Sequence, residues 1–178
     1  KKIWEPIVRY VNKTEADKIN VLLISEKLVS HAQYGELQPV LALEINTTSD
    51  KLPVDTLDIS AGKKENTITA GSFDINTFTY GGSCYYYVDP VALKAGVLDP
   101  YFAWRLNKGK LAIDAQGNIL TAGNFYNGEH FTMRYTAPVN TALEDIVLPK
   151  QQSAKYIQDG KLIIRNNGAE YDVVGKKL

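Results

Sequence analysis

Short alternations of apolar and polar residues, separated by glycine- and proline-marked turns, run through most of the chain. They are densest from Leu57 to Tyr135. Before that stretch, Ile3 to Val11 contains Pro6 and reads as an edge strand or strand entry, because proline cannot donate to a central ladder. Thr14 to Asp17 is polar, a turn or one helical turn. In Asp17 to Leu28, Ile19, Val21 and Leu23 share one face while Leu22 and Ile24 occupy the other. Apolarity on both faces predicts a strand covered on both sides. Leu41, Leu43 and Ile45 alternate with Ala42 and Glu44, then give way to the polar run Asn46 to Asp50, a strand followed by a loop.

Within Leu57 to Tyr135 the predicted strands are Asp58-Ile59-Ser60, Phe73 to Phe78, Cys84 to Val88, Tyr101 to Leu106, Lys110 to Asp114, Ile119 to Ala122 and His130 to Tyr135. Gly62-Lys63-Lys64 and Gly81-Gly82 mark turns. The spacing of about 8–12 residues suits a sandwich or barrel. Residues 89–100 break the rhythm: Asp89-Pro90 opens, Gly96 stops, and the interval reads as a short helical turn or a crossover loop. Residues 1–136 are read as the main β domain, 137–154 as a linker or strap, and 155–178 as a C-terminal β-hairpin segment. The expected class is all-β: an antiparallel β-sandwich or partly closed β-barrel with a C-terminal β-hairpin.

Composition narrows the function. A chain of 178 residues suffices for a core without metals or disulfides. Lys plus Arg equals Asp plus Glu, 20 each, so there is no bulk attraction to nucleic acid or an anionic membrane. A single Cys rules out an intrachain disulfide and a cysteine-based zinc site. No run approaches the roughly 20 apolar residues of a membrane-spanning helix. The opening Lys1-Lys2, without Met, carries the expectation that a signal or lipid anchor has been removed.

The tail quotes a motif. Asp159-Gly160, Leu162 and Ile164, then Asn167-Gly168, then Tyr171 and Gly175 resemble the C-terminal segment of many exported proteins from bacteria of the type IX secretion group. Gly109-Lys110-Leu111, Gly123-Asn124, Gly128, Phe131 and Tyr135 are similar to the β domains of surface lipoproteins from the same bacteria, some of which are small secreted protease inhibitors. The resemblance implies an extracytoplasmic chain, secreted or associated with the outer surface. It carries over no functional residue.

Candidate chemistry is sparse. Cys84 with His31 or His130 would make a thiol dyad only with a lowered thiol pKa, but Cys84 lies in a Tyr-rich strand and reads as a small core residue. Two His do not build a metal site, and the loops Asn46 to Asp50 and Asp114 to Asn118 lack alternating calcium ligands. Asp55, Asp58, Asp74, Asp89 and Glu129 offer no distinguished pair for glycoside hydrolysis. No catalytic residue, metal or cofactor is expected, and the chain is read as a non-enzyme. The positive signal is aromatic. Tyr85, Tyr86, Tyr87, Tyr101 and Trp104 are the candidate ligand-binding residues, because exposed rings stack on sugars or anchor proteins. Alternation sends Tyr85 and Tyr87 one way and Tyr86 the other; the competing reading is that both faces pack. The function expected is a binding module for a protein or glycan at the cell surface. The alternatives are a protease inhibitor presenting Gly81-Gly82-Ser83 or Lys94 to Tyr101 as a loop, and a glycoside hydrolase-like enzyme.

Overall fold

The computed structural model describes residues 2–138, 154–158, 161–166, 169–171 and 177–178. The first strands are β1 (Val8–Glu15), β2 (Lys18–Ile24), β3 (Val29–His31), β4 (Gly35–Asn46), β5 (Asp55–Ser60) and β6 (Thr67–Thr69). After these come β7 (Ser72–Asp74), β8 (Thr79–Gly81), β9 (Cys84–Val88), the helix α1 (Pro90–Lys94), β10 (Pro100–Ile113), β11 (Ile119–Phe125) and β12 (His130–Tyr135). A separate antiparallel sheet holds β13 (Ala154–Gln158), β14 (Lys161–Asn166) and β15 (Ala169–Tyr171). The expected C-terminal hairpin is thus β13–β14 with a third strand added, and β13 runs close to β1 without joining its ladder. Most of the expected linker lies outside the described residues.

The fold is all-β, and its main sheet closes. Five strands pair in a ring, β4–β6–β5–β10–β9 and back to β4. β2 covers one flank of β4; the other flank carries β9 along Gln38–Ala42 and β6 along Ile45–Asn46. The space between β4 and β10 is therefore forked, with β9 at one end and the β6–β5 pair at the other. β1 extends the sheet beyond β2, while β11 and β12 extend it beyond β10. The N-terminal segment then joins the two ends: the Trp4 N–H donates to Thr132 O (3.0 Å) and the Arg134 N–H to Trp4 O (3.0 Å).

Inward-facing positions of this wrapped sheet gather into a large core. Ile19, Val21 and Leu23 of β2 meet Leu41, Leu43 and Ile45 of β4, Leu57 of β5, Ile68 of β6, Leu111 of β10 and Met133 of β12. The alternation predicted for Ile19 to Ile24 and for Leu41 to Ile45 holds. β2 is also covered on its outer face, as its two-sided apolarity requires: Leu22 joins Val40, Tyr86, Val88 and Leu93 under α1. That helix is set by Asp89, whose carboxylate accepts from the Val91 N–H at 2.8 Å, and by Pro90 in the first turn.

Three local readings are corrected. Tyr101–Leu106 and Lys110–Asp114 are one strand, β10, bent by a bulge near Lys108. Gly109 follows the bulge, and its φ of +145° goes with a close approach to Ala122 and Gly123 of β11. β5 and β6 pair in parallel, because the loop from Ala61 to Asn66 folds back far enough to restart beside Asp58. Phe73–Phe78 is not a strand but the heart of a hairpin. Its turn falls at Ile75–Phe78, where the Asp74 side chain accepts from the Asn76 N–H at 2.8 Å. Gly81-Gly82 ends that hairpin rather than dividing two strands of the sheet.

The fork explains why the hairpin exists. Ser83 lies inside the fork, where its N–H donates to Thr69 O and its carbonyl accepts from the Leu106 N–H. Gly82 sits at φ +64°, and a Cβ there would lie 2.1 Å from Ala70 O. The chain enters and leaves the fork at adjacent points, so residues 72–81 are extruded as the two-stranded arm β7–β8.

Candidate functional site

The five aromatic residues singled out in the sequence do not form one platform. Alternation divides β9 as expected, but both of its faces are packed. Tyr85 points into the barrel, where its ring meets Trp4 (5.1 Å), Phe131 (5.2 Å), Trp104 (5.6 Å) and Phe125 (6.2 Å). Tyr86 is buried on the opposite face, in the cluster under α1. Burial pushes both phenols well above their ordinary range. Tyr87 and Trp104 are half-buried and meet edge to face at 4.8 Å. Tyr101 is exposed and packs on Tyr34 at 4.9 Å, beside His31 and Phe102. These rings form a column from core to surface, with its open end at Tyr34 and Tyr101.

The sparse chemical candidates have structural roles. Cys84 is fully buried, burial pushes its thiol up, and its Sγ donates weakly to Gly81 O. A nucleophile needs the opposite shift. His31 stacks on Tyr34, and His130 is exposed at the start of β12. Asp58 pairs with Lys110 at 2.7 Å, Asp89 caps α1, and Asp74 holds its turn. Asp114 organises the β10–β11 turn; the Asn118 side chain and nearby N–H groups hold its carboxyl below the ordinary range, the reverse of a general acid. Among the described residues no group of three or more His, Cys, Asp or Glu side chains gathers to hold a metal. Of the two loops weighed for inhibition, Gly81-Gly82-Ser83 is held in the fork with Ser83 buried, whereas Lys94 to Tyr101 is mostly exposed, anchored by the buried Gly96 and by Leu98 against the α1 cluster.

Two features were not singled out in the sequence. The first is the arm β7–β8. Phe73 and Tyr80 face each other across it (4.8 Å), with Ile75 and Phe78 at its tip 70% and 76% exposed. Phe78 adopts φ +52°, a left-handed conformation rare for a bulky side chain. A sequence signal for the arm exists: from Asn66 to Val88 the only charged residue is Asp74.

The second is a cleft of about 300 Å³ at the foot of the arm, on the outer face of β1, β2 and β4. Register lines up its floor in rows. Asn12, Asn20 and Glu44 are cross-strand neighbours, and Tyr10, Leu22 and Ala42 form the adjacent row. Tyr80 and Gly82 wall one side, with Tyr86 and Leu98 also lining it. Glu44 meets Lys18 through Oε2 at 3.5 Å. Burial pulls the Lys18 ammonium down, but Glu15 and Glu44 outweigh it and raise the pKa. Asn12 is 7% exposed, and its Nδ2 is buried with no acceptor. A larger depression, about 620 Å³, crosses the Asp114–Asn118 turn and the outer face of β11. Its wall carries Arg134, which is already paired with Glu5.

No family model, no curated protein and no solved structure matches this sequence.

Proposed function

We propose that the chain is a non-catalytic binding module that docks a protein partner through the β7–β8 arm. The observation that carries this reading is the arm itself: Phe73, Ile75, Phe78 and Tyr80 are exposed together on a projecting ribbon with no core behind its tip. A two-stranded ribbon alone is marginal in water, and exposed apolar clusters on soluble chains mark contact surfaces. Aromatic anchors with few charges around them are the composition of interface centres. A lipid surface fits less well, because interfacial binding favours basic flanks and the one charge here is the acidic Asp74. The tail's likeness to exported proteins puts the partner outside the cytoplasm in this reading. The inhibitor reading remains its special case: a narrow apolar tip suits a protease pocket, and Ile75 and Phe78 offer one beside the exposed Lys94 to Tyr101 loop.

The test is site-specific photo-crosslinking on surface and secreted fractions of the source cells. A crosslinker at Ile75 is expected to give a discrete protein adduct, competed by excess unlabelled chain. A crosslinker at Leu120, exposed on β11, is expected to give none. Phe78→Gly is expected to abolish the adduct while stabilising the chain by about 1 kcal/mol, because glycine relieves the positive φ. Equal labelling from both positions, or an adduct that survives Phe78→Gly, would overturn the proposal. A panel of purified proteases decides the special case.

A further inference from the structure

We infer that the cleft at the foot of the arm binds a neutral sugar ring. The cleft shares Tyr80 with the arm, but the proposal does not rest on the protein contact of the arm's tip. A sugar presents an apolar C–H face and an edge of hydroxyls, and the cleft floor is divided in the same way. The row Tyr10, Leu22 and Ala42 offers apolar and aromatic surface, and the next row offers two amides and a carboxylate. Adjacent strands set Asn12, Asn20 and Glu44 about 4.8 Å apart, close enough for neighbouring hydroxyls of one ring to reach two of them. Tyr80 and Tyr86 close the site from the side of the arm. Asn12 supplies the independent sign of a ligand. Its Nδ2 is a buried donor with no acceptor among the described residues, on a side chain that lines the cleft. The amide torsion is soft, so a small rotation presents that donor to a hydroxyl oxygen.

Charge narrows the class. Among the described residues the lining holds one ionic group, Glu44, already facing Lys18. A phosphate or carboxylate ligand would find no free cation on this wall among the described residues, and a cationic ligand would have to compete with Lys18. The volume, about 300 Å³, lies at the low end for ligand sites, which suits one ring or the end of a chain and not an oligosaccharide laid flat.

The experiment is amide-shift mapping by NMR on the whole purified chain. The probes are glucose, galactose, mannose, N-acetylglucosamine, cellobiose and lactose, with choline chloride and inorganic phosphate as the contrasting charges. At least one sugar is expected to give saturable shifts centred on Tyr10, Asn12, Asn20 and Glu44, and Phe78→Gly is expected to leave them unchanged. Asn12→Val and Tyr80→Ala are each expected to weaken that binding tenfold or more. The urea midpoint of Asn12→Val is expected to equal or exceed that of the native chain, so that lost binding does not mean lost folding. Silence across all six sugars, a preference for choline or phosphate, shifts centred elsewhere, or unweakened binding by Asn12→Val would each overturn the proposal.

Discussion

Asn12 shows how one residue can be set against its surroundings. It lies on the outer face of β1, where alternation places Tyr10 beside it and cross-strand register places Asn20 opposite. A strand position that is 7% exposed ordinarily takes a β-branched apolar residue. An amide there leaves a buried donor unpaired, which costs about 1–3 kcal/mol. Replacing it with valine should therefore raise the free energy of urea unfolding by roughly 1 kcal/mol or more. A lower midpoint for Asn12→Val would mean that the amide supports the fold and is not held for a ligand. Tyr85 illustrates the opposite limit of residue-level reading. Its direction follows from the period of two, but its burial does not. Trp4, Phe125 and Phe131 reach it from segments 40 or more positions away, and no local pattern announces that encounter.

At the scale of elements, what could be read depended on whether the local signal and the tertiary contact agreed. β12 and the Leu41–Ile45 half of β4 are legible because each alternates and buries the face its alternation defines, and β2 because apolarity on both faces matches burial on both. β10 reads as two strands because its alternation is interrupted across Asn107 to Gly109, where the ladder bulges and Gly109 lets β11 approach closely. The β7–β8 arm was misplaced for a related reason. Gly81-Gly82 is the strongest turn signal nearby, yet the turn is made by Asp74 and Asn76, and Gly82 is required by the fork. Gly82→Ala tests that assignment. Its Cβ would strike Ala70 O, and alanine at φ +64° is strained, so a loss of about 2–4 kcal/mol is expected. Differential hydrogen exchange should show the damage first at Ser83 and Leu106, whose backbone bonds hold the fork. A change confined to residues 72–81 would mean that Gly82 governs only the arm.

For the whole molecule, the all-β class was legible from turn spacing, whereas the closure was not. The wrapped sheet is joined end to end by a segment that reads as an unremarkable strand entry. Trp4 makes that joint twice over. Its backbone bonds to Thr132 and Arg134 of β12, and its ring packs on Tyr85 and Phe131 inside the barrel. Ile7, three residues on, donates to Ile24 O and ties the same segment to β2. Without the joint, β12 becomes an unprotected edge, and the inner rings on Tyr85 and Phe131 lose a neighbour. Trp4→Ala is half-buried truncation, so a loss of about 2–3 kcal/mol is expected. Its ring Nε1 is a buried donor without an acceptor, so the loss comes from packing and not from a broken side-chain hydrogen bond. Trp4→Phe, which keeps a ring and removes that donor, should recover most of the stability. If closure depends on this segment, native-state hydrogen exchange in Trp4→Ala should quicken along β12 and β11 and hardly change along β4 and β9. Uniform acceleration through all strands would instead make Trp4 an ordinary core residue, with closure carried by the five-strand ring alone.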